Sequence, residues 1–123
     1  MAWELKTDRP IYAQLIEQLE LRICSGIYPP GARMPSVRDL AQEASVNPNT
    51  MQRALASLEE DGLLYSHRTS GRFVTKDVEM IRKTRNKLAQ EQVHEFLKKM
   101  GELGFEYSEI LSIITDLAEE LIK

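Results

Sequence analysis

From Met34 to Gly62 the chain reads MPSVRDLAQEASVNPNTMQRALASLEEDG. This stretch reads as two short helices joined by a tight turn, and a helix presented by its N-terminal end commonly reads the DNA major groove. Ser36, after Pro35, is a good N-cap, and Asp39 falls in the first turn, where the helix dipole favours an anion. Val37, Leu40, Ala41 and Ala44 then share one face at helical spacing. Ser45 and Val46 make the turn. Asn47 caps the second helix, and Pro48 takes its first position, where a missing N–H costs nothing. Met51, Ala54, Leu55 and Leu58 supply the second apolar stripe, and Gly62 is the left-handed stop. Ala41 and Ala54 are small enough for the two helices to cross closely.

The outward face of the second helix separates this stretch from an ordinary helical hairpin. At ~100° per residue, Asn49, Gln52, Arg53 and Ala56 point away from the apolar stripe. A solvated face usually carries Glu and Lys, yet no acid appears on this one before Glu59 and Glu60. Asn and Gln side chains make bidentate contacts to adenine, Arg to guanine, and Thr meets the thymine methyl or a phosphate. Asn47, Asn49 and Thr50 also set polar groups beside the free N–H donors of a helix start, which suits a phosphate.

After Gly62, the runs Leu63-Leu64-Tyr65 and Arg72-Phe73-Val74 are β-prone, with Ser66-His67-Arg68-Thr69-Ser70-Gly71 between them. Polar turn residues with a Gly between apolar runs read as a β-hairpin. A helix-turn-helix followed by such a hairpin is a winged helix, with Arg68, Thr69, Ser70, Gly71 and Arg72 on the wing. A plain surface turn is the alternative, but two arginines flanking a short polar tip suit a phosphate or minor-groove contact.

The chain resembles the GntR family of bacterial transcription regulators over roughly residues 8–76. The matching residues are Ile27-Tyr28-Pro29-Pro30-Gly31, Met34 to Ala41, Val46 to Thr50, Leu58 to Leu64, and Gly71-Arg72-Phe73-Val74. Asn47-Pro48-Asn49-Thr50 at the start of the recognition helix, with a short tail, resembles the YtrA subfamily. The resemblance implies that Arg38, Asn47, Asn49, Thr50 and the wing residues Arg68 to Gly71 contact DNA. Gln52 stands where other branches often carry an arginine, and Pro48 where they often carry a basic residue.

Bulk properties agree with a small intracellular regulator. The chain has 123 residues, 42% of them hydrophobic, enough for one domain with an appendage. Its net charge of −3 argues against non-specific polyanion binding but leaves room for a local basic surface. Arg33, Arg38, Arg53, Arg68, Arg72 and Lys76 can form one. Cys24 is the single cysteine, so no internal disulfide forms and the reducing cytoplasm is the expected compartment. No signal peptide and no run of ~20 apolar residues appears, so no membrane association is expected.

Pro10 to Ser25 is an amphipathic helix opened by Pro10 and ended by Gly26, with Ile11, Tyr12, Leu15, Ile16, Leu19 and Ile23 as its stripe. It is expected to pack behind the two-helix motif. Trp3, ahead of it, can lie on a neighbour or cover the domain's own edge.

Residues 1–76 thus form the expected DNA-binding domain, and residues 77–123 a helical tail. Asp77 caps a long helix on which Ala89, Val93, Phe96, Met100 and Leu103 alternate in steps of four and three, ended by Gly101 and Gly104. Ser108 caps a last helix carrying Ile110, Ile114, Leu117 and Leu121. Two such helices bury too little alone. Val93, Phe96, Met100, Ile110, Ile114, Leu117 and Leu121 are therefore the expected homodimer contacts, and the subfamily resemblance implies the same. Arg82, Lys83, Arg85 and Lys87 form a basic run, read as a solvated face or as a contact to flanking DNA.

No Gly-rich phosphate loop, nucleophile elbow or paired-carboxylate constellation appears, and His67 and His94 are single, without zinc-site spacing. No catalysis, metal or cofactor is expected, and no polar cluster identifies an effector. The fold class is mainly α with a small β-hairpin: a winged helix-turn-helix and a two-helix tail. The expected function is a sequence-specific regulator binding an inverted-repeat, double-stranded operator as a homodimer, with repression implied by the resemblance. A winged-helix module that docks a protein partner with the same helix face is the alternative.

Overall fold

The computed structural model describes residues 2–122. Its elements are α1 (Ile11–Cys24), α2 (Val37–Ala44), α3 (Pro48–Glu60), β1 (Leu64–His67), β2 (Gly71–Val74), α4 (Val78–Glu102) and α5 (Tyr107–Ile122). The chain divides into two compact units, Met1–Arg85 and Asn86–Lys123.

In the first unit α1 presents Leu15, Leu19 and Ile23, four residues apart, to a core shared with Leu40, Met51, Leu55, Leu58, Leu63 and Val74. Ile11, Tyr12 and Ile16 lie at the margin of that core, half-buried. Buried Gln14 ties the N-terminal segment to α1. Its carbonyl oxygen accepts from the Lys6 N–H at 2.6 Å, and its amide nitrogen donates to Lys6 O and Arg9 O. The Arg22 guanidinium lies 4.0 Å from the Trp3 ring centroid, so Trp3 covers the domain's own edge.

The two helices of the motif begin and end as their residues dictate. Ser36 accepts from the Asp39 N–H at 3.1 Å. After α2 the chain turns at Ser45 (φ 57°), with Val46 N–H donating to Ala41 O and Ser45 N–H to Gln42 O. This is a Schellman closure with Ser in the place usually held by Gly. α3 closes in the same way, through Gly62 and Leu63.

The hairpin pairs Leu64 with Val74, Tyr65 with Phe73, Ser66 with Arg72 and His67 with Gly71. Ser66 and His67, expected in the loop, are therefore strand residues, because their backbone continues the ladder. A third segment runs beside β2, with Met34 N–H donating to Arg72 O, Val74 N–H to Ala32 O and an isolated bridge at Arg33 and Phe73. Beyond Lys76, Asp77 accepts from the Glu79 and Met80 N–H groups, and Met80 and Ile81 pack against the core. The compact unit accordingly runs past Lys76 to Arg85.

In the second unit α4 ends in a Schellman closure at Gly104 (φ 94°), with Phe105 N–H donating to Met100 O. α5 begins at Tyr107, so Ser108 sits inside its first turn and is not its cap. Glu109 supplies the capping contact instead, its carboxylate accepting from the Glu106 N–H at 3.0 Å. Among the described residues of this unit, Ile110 is the buried apolar side chain, 1% exposed. Val93, Phe96, Ile114, Leu117 and Leu121 are exposed in the single chain. No helix among the described residues is long and apolar enough to cross a membrane.

Candidate nucleic-acid interface

The recognition helix α3 buries Met51, Ala54, Leu55 and Leu58 and exposes Asn49, Gln52, Arg53 and Ala56. The outward face is the one that helical periodicity assigns. Asn47 accepts from the Asn49 N–H at 2.8 Å through its side chain, and its carbonyl oxygen accepts from Thr50 and Met51. The N–H groups of Asn49 and Thr50, read from the sequence as free donors for a phosphate, are thus already engaged by the cap. Asn47 and Asn49 remain exposed and Thr50 is half-buried, so their side chains carry the polar character of the helix start. Arg38 is exposed on α2.

The wing tip is Arg68, Thr69 and Ser70, all exposed, and Ser70 N–H donating to His67 O at 2.7 Å closes the turn. Gly71 adopts φ 98°, a conformation that L side chains rarely take, and an added Cβ would meet Arg33 Nε at 3.5 Å. Tyr65 and Phe73 stack at 5.6 Å across the strands and stiffen the wing. Between the wing and the start of α2 lies a cleft of about 720 Å³, bordered by Arg33, Ser36, Asp39, Arg68 and Arg72. Arg33 thus joins the wing arginines through the third extended segment. The sequence offered only its place among several arginines.

Arg72 is placed differently from Arg68. Its Nε donates to Glu59 Oε1 at 2.6 Å, and its side chain is only 17% exposed. The same carboxylate oxygen accepts from the Ser66 hydroxyl at 2.6 Å, and Arg72 Nη1 donates to Gln52 Oε1 at 3.3 Å. The Ser66 hydroxyl holds the Glu59 carboxyl below its ordinary range, burial opposes this, and Arg72 reinforces it. Arg72 therefore joins wing to helix and is not free at the tip. Arg53 lies over the Tyr12 ring, 4.6 Å from its centroid. Glu59 and Ser66 are the partners that sequence reading missed. Their signal was the spacing of Glu59, seven residues and two turns after Gln52 on the same face.

The apolar tail residues lie in the other unit: Val93, Phe96 and Met100 on α4, Ile110, Ile114, Leu117 and Leu121 on α5. Ile110 is already enclosed within the single chain, whereas Leu117 is 54% exposed. Among the described residues no group of three or more His, Cys, Asp and Glu could hold a metal ion.

The family described as "Bacterial regulatory proteins, gntR family" matches residues 11–74. The uncharacterized HTH-type transcriptional regulator YhcF of Bacillus subtilis is 34% identical over 94% of this chain and 96% of its own length. The HTH-type transcriptional repressor YtrA of the same organism is 36% identical over 58% of this chain and 55% of its own length. A GntR family transcriptional regulator from Listeria monocytogenes superposes with a TM-score of 0.83 at 33% identity, covering 91% of this chain and 98% of that one. The AraR DNA-binding domain, solved in complex with operator ORE1, superposes with a TM-score of 0.52 at 31% identity, over 61% of this chain and 94% of that one.

Proposed function

Because this chain belongs to the gntR family of bacterial regulatory proteins, we propose that it regulates transcription by binding an inverted-repeat operator as a homodimer, and that it acts as a repressor. The observation that carries this reading is the outward face of α3. Asn49, Gln52 and Arg53 stand there exposed, beside a wing tip of Arg68, Thr69 and Ser70. The first set suits base edges and the second the phosphate backbone. The operator in the AraR complex supports DNA as the ligand of this surface.

A single winged helix reads few base pairs, rarely enough to select one site in a genome. Two copies about a two-fold axis double the contacts and match an inverted repeat. The exposed apolar residues of α4 and α5, Val93, Phe96, Ile114, Leu117 and Leu121, supply a surface for that pairing. Repression is supported by the name of YtrA and by the simplicity of occluding a promoter. The working compartment in this reading is the cytoplasm, and no catalytic step belongs to it.

A gel-shift with DNA from upstream of the chain's own gene tests the reading. A discrete complex that resists competitor DNA is expected, together with a reporter that rises when the gene is deleted. Binding equal to that of scrambled DNA would overturn it.

A further inference from the structure

Gln52, Glu59, Ser66 and Arg72 form one connected chain from β1 through Glu59 and β2 to the outward face of the recognition helix. We propose that Arg72, anchored by Glu59, fixes the Gln52 amide so that it offers hydrogen-bond donors to DNA and reads guanine in place of adenine. The inference rests on the operator-binding reading and specifies what one of its residues recognises.

A guanidinium carries five donors and no acceptor. Facing Arg72 Nη1, Gln52 must turn its carbonyl oxygen inward, because the flipped amide would set donors against donors. The observed contact is Nη1 to Oε1 at 3.3 Å. Arg72 has little freedom to leave, since Nε is held at 2.6 Å by Glu59 Oε1, which Ser66 also holds. The Gln52 NH2 group is then left for the groove.

That choice matters because base edges differ. Adenine is read by a Gln that accepts from N6 and donates to N7 together, whereas guanine presents two acceptors, N7 and O6. Arg72 engages one of the two lone pairs of Oε1 and turns the oxygen toward the wing, which disfavours the adenine pairing, where oxygen and nitrogen must face one base edge together. The donating NH2 group still matches guanine. Arg72 is a positioning residue in this scheme, and Gln52 the specificity-determining one.

Selection from a randomised duplex library, with the full chain and its variants, tests the proposal. The wild type is expected to enrich guanine at one position in each half-site, a preference that Gln52→Ala abolishes. Gln52→Glu, at an exposed position that does not threaten folding, keeps the Arg72 contact but offers only acceptors. It should replace guanine with cytosine, whose N4 amino group donates. Arg72→Met frees the amide to turn, and discrimination of guanine over adenine at that position should fall about tenfold. A Gln52-dependent preference for adenine in the wild type would overturn the proposal, as would guanine preference surviving in Gln52→Glu. Unchanged discrimination in a folded Arg72→Met would overturn the role of Arg72. Enrichment of no sequence by the wild type would instead overturn the operator-binding reading itself, and this inference with it.

Discussion

The Arg53 guanidinium lies 4.6 Å from the centroid of the Tyr12 ring, bracing the outward face of the recognition helix on α1. A cation over an aromatic face near solvent contributes about 0.5–1 kcal/mol. Tyr12→Leu, which keeps an apolar side chain but removes the ring face, should lower stability by roughly that amount in urea unfolding. In an Arg53→Ala background the same substitution should cost measurably less. Equal losses in both backgrounds would show the two side chains to be uncoupled.

The wing arginines differ in their partners, and their salt dependences should differ with them. Arg68 is exposed at the tip, so Arg68→Ala should flatten the log–log slope of operator affinity against salt by about one. Arg72 is held by Glu59 and Gln52, so its neutralisation should leave that slope nearly unchanged. Measured slopes that fall equally for both would assign Arg72 to a phosphate as well.

The wing-to-helix bridge predicts a pH dependence. The Ser66 hydroxyl and Arg72 hold the Glu59 carboxyl below its ordinary value against the opposing effect of burial. A depressed carboxylate contributes stability that is fully present above its unfolded value and lost as pH falls through the folded one. Wild type should therefore exceed Glu59→Gln by a constant margin at neutral pH, a margin that begins to shrink as pH falls through the ordinary carboxylate range and is gone below the lowered folded value. Unfolding free energies measured from neutral to acid pH check this, and a margin independent of pH would contradict it.

The helix-turn-helix was legible because its signals are local. Ser36, Asn47, Pro48 and Gly62 act within a turn of their own position, and the Met51 to Leu58 stripe follows helical period. The wing was legible as a hairpin, but not the strand residues Ser66 and His67 nor the third segment at Arg33. These depend on pairing with β2, which no local pattern records. The same reason hides the Arg72 contacts. An arginine beside a polar tip reads as free until the fold sets Glu59 opposite it. At the tail, Ser108 has the residue type of a cap, but α5 starts before it and Glu109 makes the capping contact.

Ser36 offers a test of the motif's entry. Its side chain accepts from the Asp39 N–H at 3.1 Å, and replacing such a cap by Ala typically costs ~1 kcal/mol. Ser36→Ala should lower the thermal midpoint accordingly, while Ser36→Asp should restore most of it. A midpoint unmoved by Ser36→Ala would mean that α2 is held by packing of Leu40 and Ala41 alone.

The central claim is that two copies act together on one inverted repeat, and the mass of the complex tests it most directly. Light scattering on the chain with a duplex from its own upstream region should give two protomers per duplex. The free protein should already be dimeric at micromolar concentration. A monomeric protein that binds the same duplex tightly, one chain to each site, would contradict the account.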